Sequence, residues 1–454
     1  DALGMVVSLA VKGKQIGGTW EGGNLDGFTD ALANPPLGAV AEVCRGPALN
    51  EAQARTWLGN ADARFVYHFG EGADGNGNIA WNTSMAGACG IVREKHAGQL
   101  GLNEMSPIQV ALEYSDGGGN VLMKKVQAEP ETAGSPLRWI VSGLTVLNNK
   151  GKPVKQYESA FTPTFGYESP QANGVTVVMY YDAAGRLIRT EMPNGTHSRV
   201  EFSPWQVTSY DPNDTVLESS WYVDRGSQKP DDPKPAEPEK QAAWFSARHA
   251  DTPSQTILDS LGREVLGIAH NRVKDSAGPY TFGGEKYKDE KYITFTKLDA
   301  EGKPLWIRDA RSNIVMRYTV PSTPTSDPLV DFHPCYDIAG NLLFQHSMDA
   351  GDRWILNDIT GKPLYAWDNC ANILHTTYDS LRRPVTLELR NDDHQGWIVA
   401  GLTQYGEEVP DAIGRNLRGK AYRVFDQSGM LTSVRFDFKG NPLKVRKRLA
   451  TAYT

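Results

Sequence analysis

Apolar and polar residues alternate in short runs along most of this chain. After Gly429, the residues Val434, Phe436 and Phe438 fall on one side of an extended strand, and Arg435, Asp437 and Lys439 on the other. Between Tyr292 and Leu298, Ile293 and Phe295 alternate with Thr294 and Thr296. This two-residue period predicts half-buried β-strands. No stretch carries a convincing 3.6-residue period, and only Ala52 to Trp57 is read as the start of a short helix.

One pattern punctuates the runs: an apolar or aromatic residue, Asp, two variable residues, Gly, then a return to apolar positions. It occurs with Asp182 and Gly185, Asp259 and Gly262, Asp299 and Gly302, Asp337 and Gly340, and Asp358 and Gly361. Asp426 with Gly429 and Asp437 with Gly440 end the series. Looser copies are Tyr114-Ser-Asp-Gly-Gly-Gly-Asn-Val121 and Leu147-Asn-Asn-Lys-Gly-Lys-Pro-Val154, and Tyr378-Asp-Ser-Leu-Arg-Arg-Pro-Val385 has lost the Gly. Asp337, Asp358 and Asp379 stand 21 residues apart, room for two strands and two turns.

The pattern predicts a β-hairpin. The Asp carboxylate accepts a backbone N–H two residues on, closing an Asx-turn, and the Gly supplies a positive φ. A single hairpin is marginal in water, whereas stacked hairpins share buried faces and behave as one array. The predicted fold class is therefore all-β: an extended, curved array of antiparallel β-hairpins, read as a single region over residues 1–454. Residues 226–240 stand apart. They hold four prolines and seven charges without an apolar anchor, and predict an exposed, extended loop.

Composition narrows the function classes. Gly at 45 and Pro at 27 of 454 residues favour turns and short strands over long helices. A net charge of -7 excludes nucleic-acid binding driven by overall charge. No run approaches the ~20 apolar residues of a membrane span. Cys44, Cys89, Cys335 and Cys370 are too few and scattered for a disulfide scaffold. The opening Asp1-Ala-Leu-Gly4 looks like the middle of a repeat and the end has no polar tail, so the chain reads as a piece of a longer protein.

The Tyr-Asp-x-x-Gly units resemble the YD (RHS) repeat, and longer stretches extend the resemblance. Glu113 to Pro130, Arg138-Trp139 with Ser142-Gly143 and Asn148-Asn-Lys-Gly-Lys-Pro-Val154, and Lys155-Gln-Tyr-Glu-Ser-Ala-Phe161 occur in the family's order. So do Tyr181 to Trp221, Trp367-Asp368 through Pro384, Asn416-Leu-Arg-Gly419 and Asp437 to Asn441. From about Arg64 onward the chain resembles the shell-forming B component of bacterial insecticidal toxin complexes (Tc toxins) and related RHS-repeat toxin proteins. The resemblance implies a portion of a hollow shell wall that encloses a cytotoxic C-terminal polypeptide until its delivery through a translocation pore. It implies as partners the remainder of the shell, the enclosed polypeptide and the pore component, and a secreted, extracellular setting. The family's upstream β-propeller and its C-terminal aspartate autoprotease region have no counterpart in these residues. Segment 226–240 looks like an insertion.

Other chemistries weigh less. Asp74-Gly-Asn-Gly-Asn78 begins like a calcium loop, but Ile79 and Met85 stand where Gly and Glu are needed, so it reads as a plain turn. His333, Cys335, Cys370 and His375 could supply zinc ligands, yet their spacing fits no standard site and buried strand residues are the better reading. No Gly-x-Ser-x-Gly elbow or phosphate-binding Gly loop is present. The basic run Lys444-Val-Arg-Lys-Arg448 reads as a solvated strand end. No catalytic residue, cofactor or metal is assigned. The leading expectation is a non-catalytic toxin-shell wall. The alternative is an extracellular adhesion or glycan-binding module built from the same repeats, and a glycan-active enzyme stands third.

Overall fold

The computed structural model describes residues 1, 3–36, 39–40, 51–76, 78–81, 85–168, 175–392 and 394–451. The chain divides into two compact units, residues 1–197 and 198–454.

The first unit holds an antiparallel seven-stranded sheet, ordered Ser8–Leu9, Ala63–His68, Ala86–Arg93, Ile108–Ser115, Val121–Ala128, Arg138–Ser142 and Ala160–Thr162. Its strands are one-sided. In Ile108–Ser115 the residues Ile108, Val110, Leu112 and Tyr114 are buried while Gln109, Ala111 and Glu113 are exposed. The buried side belongs to a core that includes Ala54, Trp57 and Leu58 of the helix Glu51–Leu58. That helix presents its apolar residues at spacings of three and four, one face of an α-helix. It contains the stretch expected to be helical. After this sheet come the strands Thr145–Leu147, Pro153–Tyr157, Thr176–Tyr181 and Leu187–Glu191, which pair in chain order.

The second unit is an antiparallel meander in which nearly every strand bonds to its sequence neighbours. It runs through Gln206–Tyr210, Ser254–Leu258, Glu264–Lys274 and Glu285–Leu298 and on to Pro442–Leu449. The all-β, antiparallel class expected from the period-two pattern is the observed one. No described residue between Gly351 and Tyr405 is fully buried. That half-exposed pattern is the one expected of a sheet one layer thick.

Besides the long connection of residues 406–420, two excursions leave the meander. The hairpin Thr319–Pro321 with Phe332–Pro334 is one. The other, between Tyr210 and Ser254, is helical: Ser220–Asp224 and Pro238–Ala247. Here the sequence reading needs correction. Residues 226–237 are loop, but Pro238 opens a helix, at the first-turn position where its missing N–H is harmless. The loop is also pinned: Pro235 is buried, Tyr222 Oη donates to the Gln228 carbonyl, and Trp244 Nε1 donates to the Asp232 carbonyl at 3.0 Å. The helix escaped notice because its first turn is charged and its apolar residues Ala243, Trp244 and Ala247 crowd its last turns.

Candidate functional site: the interlocked turns and the aromatic face

The repeat turns share one construction. The Asp N–H donates to the carbonyl four residues on, and the N–H of the third residue after Asp returns to the Asp carbonyl. Asp182, Asp259, Asp299, Asp337, Asp358 and Asp437 all show both bonds. The residue before the Asp sits at a strand bulge, as between Tyr180 and Tyr181 or Ile257 and Leu258. This is a type I turn closed by a left-handed residue and a bulge. Gly185, Gly262, Gly302, Gly340, Gly361 and Gly440 occupy the left-handed place, with φ between 74° and 93°.

The carboxylate does more than close an Asx-turn. Oδ1 of Asp259 accepts from the N–H of Leu261 at 2.9 Å and of Arg263 at 3.0 Å. Asp337 does the same with Ala339 and Asn341, and its Oδ2 takes the Asn341 side chain at 2.8 Å. These donors favour the charged form. Backbone donation from Arg186, Arg263 and Arg383 holds Asp182, Asp259 and Asp379 below the ordinary carboxylate range. The Asn341 side chain does so for Asp337.

Three copies lack the Gly yet keep the backbone. Ser312, Ala371 and Arg382 hold φ of 69°, 58° and 61° after Asp309, Asp368 and Asp379. The first two were missed as repeats. The Asn that follows each, Asn313 and Asn372, donates to the Asp carboxylate and was the available signal. Gly429 differs from its expected role. Asp426 pairs directly with Gly429 across a two-residue loop, and Gly429 has φ of 136°. A Cβ there would stand 2.1 Å from the Arg448 carbonyl oxygen, so close approach of the next strand demands the glycine.

Successive turns are tied together. A Tyr at a strand end, before the turn Asp in three cases and before Gly406 in the fourth, donates its hydroxyl to the carbonyl of the Pro that ends an earlier turn. Tyr181 reaches Pro153 at 2.8 Å, Tyr336 reaches Pro304 at 2.7 Å, Tyr378 reaches Pro363 at 2.7 Å and Tyr405 reaches Pro384 at 3.1 Å. Burial pushes the Tyr336 hydroxyl up to about 12. The basic residue preceding that Pro covers the same ring: Lys303 over Tyr336 at 5.6 Å, Lys362 over Tyr378 at 5.7 Å and Arg383 over Tyr405 at 3.8 Å. Arg382 also pairs with Asp358, and Arg383 Nη1 lies 2.6 Å from Glu407 Oε1.

Strand register gathers aromatic rings on one face of the second unit's sheet. One face carries Phe344, Trp354, Tyr365, Trp367, His375 and Trp397. Tyr365 stacks on His375 with centroids 4.4 Å apart, and His375 Nδ1 lies 3.0 Å from Glu388. The other face carries Ile355, Ala366, Leu374, Leu389 and Ile398. Trp354 and Trp397 are each 42% exposed.

The metal candidates do not assemble. Among the described residues no group of three or more His, Cys, Asp or Glu is placed to hold a metal ion. The Asp74 carboxylate accepts from the N–H groups of Asn76 and Asn78, as in the other turns. Cys335 is buried and Cys370 exposed, while Cys44 lies outside the described residues. The basic run lies on the exposed strand Pro442–Leu449.

Comparison with known proteins places this geometry. The chain is similar to Tc toxin proteins. Over 99% of its length it superposes on the TcdB2–TccC3 crystal structure with a TM-score of 0.69 at 20% identity, covering 20% of that chain. It also superposes on a Tc holotoxin pore of Photorhabdus luminescens carrying a variant TccC3, with a TM-score of 0.62 at 18% identity, covering 99% of this chain and 20% of that one. In sequence it is 24% identical over 212 residues to toxin subunit YenC2 of Yersinia entomophaga, which is 44% of this chain and 20% of the relative. No family model matches. The chain thus has a Tc toxin fold and spans about a fifth of the length of these relatives. Among the described residues no helix is long and apolar enough to cross a membrane.

Proposed function

We propose that the chain is a non-catalytic stretch of shell wall in a secreted toxin complex, and that the shell sequesters a cytotoxic polypeptide. The observation that carries this reading is the superposition on TcdB2–TccC3 across 99% of the chain. The physical chemistry supports it. A sheet one layer thick leaves both faces half-covered, and its apolar side chains need an enclosed space or further protein against them. The Tyr-to-Pro bonds and cation–ring contacts stiffen the turn rows, which suits a wall whose task is exclusion. In this reading the partners are the remainder of the shell, the enclosed polypeptide and a translocation-pore component.

Electron microscopy of the longest gene product containing this segment, with limited proteolysis, tests the proposal. A hollow particle with internal density and a protease-resistant cargo is expected. An open sheet, or a cargo digested as fast as free polypeptide, would overturn it. The second reading, a glycan-binding adhesion module, draws on the exposed rings of Trp205, Trp354 and Trp397. Binding to a glycan array that is lost with those rings would favour it.

A further inference from the structure

We propose that the helical excursion and the adjacent hairpin tip form a binding site for a carboxylated sugar. The site is a cavity of about 550 Å³ in the second unit, a volume suited to a small ligand. The helix Pro238–Ala247 and the turn residue Arg248 supply one wall, and the tip Phe282-Gly-Gly-Glu285 another. Residues of the Pro-rich segment, Asp231 and Lys234, close the rim.

Arg248 is the centre of the argument. Its guanidinium stacks 3.6 Å from the Trp244 ring centroid, with the rings of Phe245 and Phe282 also within 6 Å. Stacking fixes the plane of the fork and leaves its edge free to donate. Among the described residues Arg248 has no hydrogen-bond acceptor and no ion pair for its side chain, and its Nε is buried without a partner. The nearby acids make their hydrogen bonds to other side chains, although, after Lys274, the Arg248 charge also helps hold Glu285 ionised. Glu285 accepts from Lys274 at 2.5 Å and from Tyr287 at 3.3 Å. Asp289 accepts from Arg272 at 2.7 Å and Tyr280 at 3.0 Å. A preorganised guanidinium fork in an aromatic wall, with no hydrogen-bonded acid on it among the described residues, is built for a bidentate carboxylate.

The remaining lining specifies the body that carries the carboxylate. Phe245 is 46% exposed and offers a flat apolar surface to the C–H face of a pyranose ring. Lys234 lies 5.3 Å from the Phe245 centroid and adds a second cation. The carboxylates of Asp231 and Glu285 accept hydrogen bonds from ring hydroxyls. The fit at the tip is close. A Cβ on Gly283 would stand 2.7 Å from Arg248 Nη2, and Gly283 and Gly284 have φ of 58° and 84°. The two glycines therefore allow both the tight turn and the approach of the guanidinium.

Isothermal titration of the full chain with methyl β-glucuronide, methyl β-glucoside and cyclohexanecarboxylate tests the site. The glucuronide is expected to bind, and the other two to bind at least about tenfold more weakly, the scale of a lost charge-assisted hydrogen bond. Arg248→Met is expected to weaken the glucuronide by at least about tenfold at an unchanged melting temperature. No heat from the glucuronide, or a glucoside that binds as well, would overturn the proposal. Equal binding of cyclohexanecarboxylate would overturn the sugar assignment. Should Arg248→Met fail to fold, the exposed Lys234→Ala and Asp231→Ala must each lower glucuronide affinity, and unchanged affinity in either overturns the site.

Discussion

Tyr336→Phe removes one atom from the row of turns and tests whether the rows are coupled. The hydroxyl donates to the Pro304 carbonyl at 2.7 Å across 32 residues of sequence, in a partly buried setting. Phe keeps the ring and the Lys303 contact, so the lost quantity is the hydrogen bond and the solvation of the carbonyl left behind. A hydrogen bond of this kind contributes about 1 kcal/mol net, within a range of about 0.5–1.5. One kcal/mol corresponds to roughly a fivefold rise in local opening. Hydrogen–deuterium exchange reads this directly at the amides of Asp337 and Gly340, which close the turn. Tyr405→Phe is the internal comparison. Its bond to Pro384 is 3.1 Å and more exposed, so a smaller effect of about 0.5 kcal/mol is expected. Unchanged exchange in Tyr336→Phe, or a larger effect in Tyr405→Phe, would refute the coupling.

Further expectations concern the turns and the sheet. Gly302→Ala places a side chain at φ of 93° and 2.9 Å from Arg263 Nη1, and should lower stability by about 1–2 kcal/mol in urea unfolding. Ala371→Gly, at φ of 58°, should do the reverse by up to about 1 kcal/mol, and a loss would count against a left-handed turn there. The carboxylates of Asp182, Asp259, Asp337 and Asp379 lie below their ordinary values, so the stability they contribute is complete above the unfolded pKa near 4 and is lost as pH falls through the depressed folded values. Melting temperatures should therefore fall as the pH drops below about 4 on their account, and a loss completed above pH 5 would contradict this. Half-covered faces and the exposed strand Pro442–Leu449 should drive self-association, and a single monomer boundary at all concentrations in sedimentation would disprove it.

The local grammar of the protein is written in its sequence. Asp, a left-handed residue and an Asn, Lys or Arg four positions on act within five residues, and Asp337 to Asn341 form the same turn whatever lies beyond them. Alternating residues such as those of Ile108–Ser115 fix a two-sided strand by the same locality. Tertiary structure decided the rest. Arg382 adopts φ of 61° without glycine because the stacked turns hold it, through bonds from Lys362 and to Asp358. The Tyr-to-Pro bonds join residues 15 to 32 positions apart, a spacing set by the stacking of strands and not by any period within one turn. The helix Pro238–Ala247 buries Ala243 and Ala247 in a cluster with Val216 and Tyr222, partners that a local pattern does not reveal. Register across the meander then gathered the rings of Trp354, Tyr365, Trp367 and His375 on one face, because each antiparallel pairing fixes the facing of the next strand.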